Sequence, residues 1–403
     1  MILRARTVVP MEGGPIDDGA VAVSNDTITD VGGFRDVRQR QSGDVVDLGE
    51  QILMPGLINA HCHLDYTMLR GRIPQHRSFS DWISAINAEK ANLTEQDYID
   101  SINAGFAEAQ HFGTTTILNL VAFPKLAAAI EEPPVRTWWF GELIDVRDPN
   151  AAEKIADDAA ESLKSAGRWG LAPHAPFTAS QRLYARCEEI ARRENIPLTT
   201  HLAESREEME MFCDAKGAAF DFLRNIGRPM EDCGGETPLA LFLRTRNLDC
   251  RWIVAHLNEL DPGDFELLEA APKFHIAHCP RSHTFLGHSP FPLERLSALG
   301  FNICLGTDSL ASNSSLSLFA EMRELLRKEP GVSPRQALEM TTVNGAAAIG
   351  QRNELGCIRK GARADLIALP LRSSPDVFET IVAFDGAIHW MMVDGKIVRD
   401  AGN

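Results

Sequence analysis

The sequence predicts an α/β protein: a (β/α)8 barrel of the TIM type with a small β-sandwich domain formed by both chain ends. Three observations predict it. Eight apolar strand-like runs follow Gly56, segments of helical spacing separate them, and short strand-and-turn patterns are confined to the two ends.

Residues 1–55 read as short strands at Ile2 to Val9, Ala20 to Val23, Thr27 to Val31 and Val45 to Leu48, separated by Gly, Asp and Asn turns and without a helical period. The eight runs of the central part lie at 57–63, 114–120, 135–143, 169–175, 197–203, 252–257, 273–278 and 302–307. Helical spacing fills Glu95 to His111, Ala151 to Ala166, Gln181 to Asn195 and Ser317 to Glu329, the first opened by Thr94 with Asp97 as a capping box. A last helix spans Ser333 to Ile349, and short strands return at Leu366 to Ala368, Ile388 to Val393 and Lys396 to Arg399. The expected domains are therefore a barrel over 56–355 and a small domain from 1–55 and 356–403. One connection is long: 205–249 holds two helix-like stretches and a Cys233-Gly234-Gly235 break, and reads equally as a lid or as a plain helical insertion.

A chain of 403 residues, 44% hydrophobic and 24% charged, is a globular one with room for a large core plus a small one. Its net charge of -16 argues against nucleic acid and anionic membranes as partners, since both attract basic patches. An anionic substrate would need a local cluster of Arg. The eight Cys are scattered without a CxxC pair, no signal-peptide pattern opens the chain, and no stretch is apolar enough to span a membrane. The expected setting is the cytoplasm, with free thiols.

The chemistry is signalled at the strand ends. His61 and His63 lie two apart at the end of the first barrel strand, so alternation points both into the mouth and turns Cys62 away. His201 ends the fifth strand with Glu204 three positions on, His256 ends the sixth, and Asp308 ends the eighth. Five metal-type residues from four strands thus meet on the rim where such barrels keep catalytic groups.

These residues, together with Pro55-Gly56 through His63, the run Leu305 to Asn313, Asn344 to Ala347 and Gly361 to Leu366, resemble the amidohydrolase superfamily, in its cytosine, guanine, adenosine-type and methylthioadenosine deaminase branch. The resemblance covers nearly the whole chain. It implies that His61, His63, His201 and Asp308 hold one divalent metal, Zn²⁺ first and Fe²⁺ as the alternative, with His256 contacting the bound water. Two-metal relatives carry a modified Lys on the fourth strand; Trp169 to Phe177 contains none. The resemblance also implies a homodimer.

Such an ion lowers the pKa of water toward about 7. Asp308 then takes the water proton, Glu204 protonates the ring nitrogen beside the attacked carbon and hands a proton to the departing ammonia, and His256 hydrogen-bonds the oxygen. The small-molecule substrate side is read from Trp82, which suits stacking on a base, Glu89 for ribose hydroxyls, Glu142 at the third strand end, His174 in Ala172-Pro173-His174-Ala175-Pro176, and Ser309. Cys279-Pro280-Arg281-Ser282-His283 departs from the usual seventh-strand pattern, and Arg281 and His283 there favour an anionic or carboxylated substrate, with Arg70 a further cation. This variant resembles sequences grouped with aminodeoxyfutalosine deaminases. The expected activity is hydrolytic deamination of an adenine-type nucleoside or related ring, such as aminodeoxyfutalosine, adenosine or a methylthioadenosine-like compound. A chlorohydrolase acting on an s-triazine, or another amidohydrolase acting on an amide, shares the scaffold. A non-catalytic assembly protein would show eroded ligand positions, and here all are filled.

Overall fold

The computed structural model describes residues 1–75, 78–130, 132–372, 374 and 376–400. The N-terminal part supplies β1 (Ile2–Val8), β2 (Ile16–Ser24), β3 (Thr27–Gly33), β4 (Val45–Asp47) and β5 (Gln51–Pro55). A single-residue step at Gly56 then leads into β6 (Leu57–His63), β7 (Thr114–Val121), β8 (Arg136–Leu143), β9 (Trp169–Pro173), β10 (Leu198–Leu202), β11 (Trp252–His256), β12 (His275–His278) and β13 (Asn302–Leu305). These pair in parallel in chain order, and nearly every residue in them is buried, as expected for strands covered on both faces.

Closure depends on a break in the eighth strand. After β13 the chain turns through Gly306-Thr307 and resumes as β14 (Asp308–Ser309), which pairs in parallel with β6 through Asp308 opposite Cys62 and Ser309 opposite His63. Gly306 N donates to His278 O at 2.9 Å and Thr307 N to His61 O at 3.0 Å. A Cβ at Gly306 would lie 2.5 Å from the His61 carbonyl oxygen, so only glycine lets the strand approach this closely. Asn59 locks the joint: its Nδ2 donates to Thr307 Oγ1 at 2.8 Å and its Oδ1 accepts from Thr307 N at 3.2 Å.

The C-terminal strands β15 (Leu366–Pro370), β16 (Trp390–Val393) and β17 (Lys396–Asp400) join the N-terminal ones in one hydrogen-bonded sheet of order β17-β16-β15-β5-β1-β2-β3, with β4 beside β1. Strand alternation splits its side chains: Leu366, Ala368, Trp390 and Met392 pack with Leu3 and Val21. Ile367, Leu369 and Met391 join the core shared with the barrel helices.

Three local expectations change. Residues 1–55 contain a helix, Phe34–Arg40, whose single fully buried residue, Val37, is too little to register as a period. The segment 333–349 is two helices, Pro334–Met340 and Val343–Ala348, because the Thr341 carbonyl is diverted to Ile58 N at 2.8 Å instead of continuing the helical ladder. The 205–249 connection holds three helices, Arg206–Asp214, Ala218–Asn225 and Pro238–Thr245.

The seam between sheet and barrel is fastened by charge. Arg136 on β8 meets Asp365 twice, Nε to Oδ2 at 2.8 Å and Nη2 to Oδ1 at 3.1 Å, and both side chains are 4% exposed. Asp365 Oδ1 also accepts Asp394 N at 2.8 Å. Arg136 Nη2 also meets Asp394 Oδ1, so Asp365→Ala leaves Arg136 with one partly exposed partner and Asp394 N unpaired, and is expected to cost about 1–3 kcal/mol. Chemical denaturation checks this; a loss under about 1 kcal/mol, the worth of an exposed pair, would contradict it.

Candidate active site

The strand ends bring seven groups to one rim: His61 and His63 from β6, Glu142 from β8, His174 just beyond β9, His201 from β10, His256 from β11 and Asp308 from β14. Alternation along β6 does what the sequence requires, since Cys62 turns away and its Sγ lies 3.7 Å from Leu118 O. The His61 ring centroid is 5.1 Å from that of His63, 5.0 Å from His201 and 5.5 Å from His256. Asp308 Oδ1 stands 3.8 Å from Nε2 of both His61 and His63. Ligand atoms of His61, His63 and His201 lie within 4.8 Å of one another.

Among the described residues, both ring nitrogens of the fully buried His61, with His63 Nδ1, His256 Nε2 and Glu142 Oε1, have no hydrogen-bond partner. A buried polar group without a partner is costly, and several gathered at one rim suit a ligand set. Burial pushes the His61 imidazole down to about 3, and burial also drives His63 and His256 well below their usual range, so all three are neutral donors. Burial alone would raise Asp308, but His61, His63, the Ser282 hydroxyl and His201 hold its carboxyl below the ordinary value. Neutral imidazoles with one carboxylate suit a borderline divalent ion. Their outer contacts are fixed too: His201 Nδ1 meets His174 O at 2.9 Å, and Ser282 Oγ donates to Asp308 Oδ2 at 2.7 Å.

Glu204 is 5% exposed, and burial, then Asp308 and Glu208, pushes its carboxyl well above the usual range. Its Oε1 lies 3.7 Å from His256 Nε2 and 3.9 Å from His288 Nε2. The backbone here is strained: Ala203, His256, Leu257 and Asp308 all have positive φ, between 49° and 73°. Local bonds hold it. Glu208 Oε1 accepts Ala203 N at 3.1 Å, its Oε2 accepts Glu204 N at 2.7 Å, and Asn258 Nδ2 donates to Glu204 O at 3.1 Å.

A cavity of about 460 Å³ opens over these groups, and Trp82, Glu142, His174 and Ser309 line it as the sequence suggests. Glu89 does not. It leaves the cavity-facing side of the helix Phe79–Lys90 and stands 3.7 Å from Arg72. Arg281 lies outside as well, with Nη2 donating to Ser314 Oγ at 2.5 Å, and Arg70 is engaged by Glu108 and Ser314 O. His283 also misses the cavity. Its Nδ1 meets Asn258 Oδ1 at 3.1 Å, and its ring stands 5.5 Å from that of His288. Ala219, Phe222, Leu223 and Ile226 from the 205–249 connection form one wall of the cavity.

Four contributors escaped sequence reasoning. Glu207 accepts Phe79 N at 2.9 Å and Ser80 N at 3.0 Å, anchoring the helix that carries Trp82. Glu208 and His288 both bear on Glu204, and Lys90 lines the cavity. Two acids in a first helical turn look like ordinary dipole complements, and a lone His or Lys carries no pattern.

The amidohydrolase family profile matches residues 52–398, the span that holds every one of these groups. The chain belongs to the amidohydrolase family. Within the family it is 30% identical to a 5-methylthioadenosine/S-adenosylhomocysteine deaminase of Moorella thermoacetica, over 100% of this chain and 94% of the relative. A zinc-bound adenosine deaminase from Xanthomonas campestris superposes with a TM-score of 0.85 at 25% identity, covering 99% of this chain and 92% of that one. The Helicobacter pylori aminofutalosine deaminase in complex with methylthio-coformycin shares the fold, with a TM-score of 0.88 at 20% identity and 98% and 99% coverage.

Glu208 is the amidohydrolase residue whose contribution the geometry isolates most cleanly. Glu208→Ala leaves two buried N–H groups unpaired, at about 1–3 kcal/mol each, and releases the loop that aims Glu204. Thermal unfolding should shift downward and kcat should fall while bound metal is retained; a variant with unchanged kcat would contradict the positioning role.

Proposed function

We propose that this chain is a metal-dependent aminohydrolase that deaminates an adenine-type nucleoside or a related aminated ring and releases ammonia. The observation that carries the reading is Glu204: a buried acid lining the cavity with Asp308 and His256, its Oε1 3.7 Å from His256 Nε2 and its carboxyl raised by burial while that of Asp308 is lowered. Environments that push two carboxyls apart in this way assign one as acid and the other as base. The names of the similar deaminases support the same ring chemistry.

In this reading His61, His63, His201 and Asp308 hold one divalent ion, zinc in preference to iron. Bound there, it supplies the Lewis acidity that makes water a nucleophile at neutral pH. Asp308, its Oδ2 held by Ser282 and its Oδ1 by Ser309 N, accepts the water proton. Glu204 donates to the ring nitrogen next to the attacked carbon, then passes a proton to the leaving amine. His256, neutral and with Nε2 free of other partners, donates to the oxygen as charge builds on it. Trp82, stacked at 5.8 Å on Phe79, gives the ring an aromatic wall, and His174, Glu142 and Ser309 supply polar contacts around it. We take residues 56–355 as the catalytic barrel and 1–55 with 356–403 as a small β-sandwich domain, a division supported by the separate core around Leu3, Val21 and Leu366.

Glu204→Gln tests the proton route, because the amide keeps size and hydrogen bonding but cannot shuttle a proton. Ammonia release from adenosine-type substrates should fall by at least about 10²- to 10⁴-fold, with metal content and substrate Kd little changed. A variant that retains metal and deaminates within a few-fold of the parent would contradict the mechanism.

A further inference from the structure

Three histidines, His278, His283 and His288, recur every five residues from the end of the seventh barrel strand, and the proposed reaction uses none of them. The local backbone brings their rings together. The helix Pro280–Leu286 ends at Gly287, whose φ of 73° suits glycine, and Gly287 N and His288 N both donate back to His283 O, at 3.1 and 3.3 Å. Ser289 N then donates to Glu259 Oε1 at 3.0 Å, which pins the far side of the turn. As a result the His283 ring centroid lies 5.2 Å from that of His278 and 5.5 Å from that of His288.

His288 reaches the acid. Its Nε2 is 3.9 Å from Glu204 Oε1, its side chain is 5% exposed, and among the described residues that nitrogen has no hydrogen bond. His256 Nε2 stands 3.7 Å from the same oxygen but lines the cavity, whereas His288 and His283 do not, so His288 meets Glu204 from behind. Asn258 ties this path together, with Nδ2 donating to Glu204 O at 3.1 Å and Oδ1 accepting from His283 Nδ1 at 3.1 Å. The outer ring, His283, is half-buried, and the charges that bear on it are the exposed Lys328 and Glu324, both on the helix Leu318–Lys328. Burial, then Lys328, pushes His283 down to about 4, and burial, then His283, pushes His288 down to about 3, Asp308 opposing. The Glu204 carboxyl is instead raised, so a proton on either ring passes downhill to it and is not trapped on the way.

Glu204 donates twice in each turnover, to the ring nitrogen and then to the amine, and must regain a proton in between. A ring seated in the cavity covers the carboxyl on that side. We propose that His288, with His283 behind it, relays that proton from solvent to Glu204; the proposal rests on the deaminase mechanism, and His288 is a positioning residue that acts through Glu204 without touching substrate. The protons balance. Glu204 gives its own to the ring nitrogen, the relay brings one to the carboxylate, and Glu204 gives that one to the amine as the C–N bond breaks and its electron pair leaves with ammonia. The proton shed as the hydroxyl becomes a carbonyl returns to Glu204, and the one that Asp308 took from water goes to solvent. One proton enters and one leaves.

His288→Gln and His288→Ala in the metal-loaded protein test the relay, with ammonia release from methylthioadenosine or adenosine as the readout. In His288→Gln, kcat should fall by about 10²-fold while KM moves by less than about threefold and bound metal is unchanged, because a proton transfer is lost and no cavity contact is. In His288→Ala, added imidazole should restore kcat with saturation, and at fixed pH kcat should rise with buffer concentration. The parent should show neither effect. His283→Gln should lose less activity with the same buffer dependence, and it supplies the reading if a His288 variant does not fold. A kcat in His288→Gln within about threefold of the parent, or a loss in His288→Ala that neither imidazole nor buffer restores, would overturn the relay. Glu204→Gln tells its failure from that of the mechanism beneath it. If Glu204→Gln is inactive while His288→Gln matches the parent, the relay alone falls; if Glu204→Gln matches the parent, both fall.

Discussion

An imidazole removed from water with neither nitrogen bonded is unfavourable, and His61 is in that state with His63, His256 and Glu142 only partly better provided for. A fold tolerates this only where something else satisfies the groups, and a divalent cation held by His61, His63, His201 and Asp308 would satisfy one imidazole nitrogen of each histidine. Much of the local architecture serves that convergence. The glycine at 306 lets the eighth strand press against the His61 backbone, Asn59 bridges to Thr307, and the short β14 delivers Asp308 opposite Cys62, beside both β6 imidazoles.

The same burial sorts the acids. The Asp308 carboxyl, among His61, His63, His201 and the Ser282 hydroxyl, is lowered, whereas burial, Asp308 and Glu208 raise that of Glu204. In free solution at neutral pH both carboxyls would be ionised alike. The cost is visible in the backbone, where four non-glycine residues at strand ends adopt left-handed conformations. Glu208 and Asn258 secure those turns, so the helices that follow the strands are part of the catalytic apparatus through hydrogen bonds and not merely through packing.

Much of this was legible in the sequence. The His61–His63 pair, His201, His256 and Asp308 could be placed on one rim because strand alternation and the barrel rule act on each run separately, and all eight runs are apolar enough to register. What the sequence did not disclose were contacts made across the fold. Glu89 and Lys90 are neighbours on one helix, and only the helix's rotation decides that the second faces the cavity. Arg281 lies just past a rim strand, yet its partner Ser314 arrives from a different loop and draws it away. Glu208 looks like a helix-start acid because the N–H groups that donate to it lie on the chain just before the helix, at a turn whose positive φ no propensity anticipates. The helix break at Thr341 likewise depends on Ile58, far away in the chain.

Stoichiometric reconstitution tests the dependence on a cation most directly. Protein stripped with a chelator and titrated with Zn²⁺ or Fe²⁺ should regain deaminase activity linearly and reach a plateau at one equivalent per chain, with bound metal measured in parallel reaching the same value. His61→Ala should fail to retain that equivalent. Full activity in the stripped protein, or a plateau only at two equivalents, would contradict a single cation as the group around which this site is built.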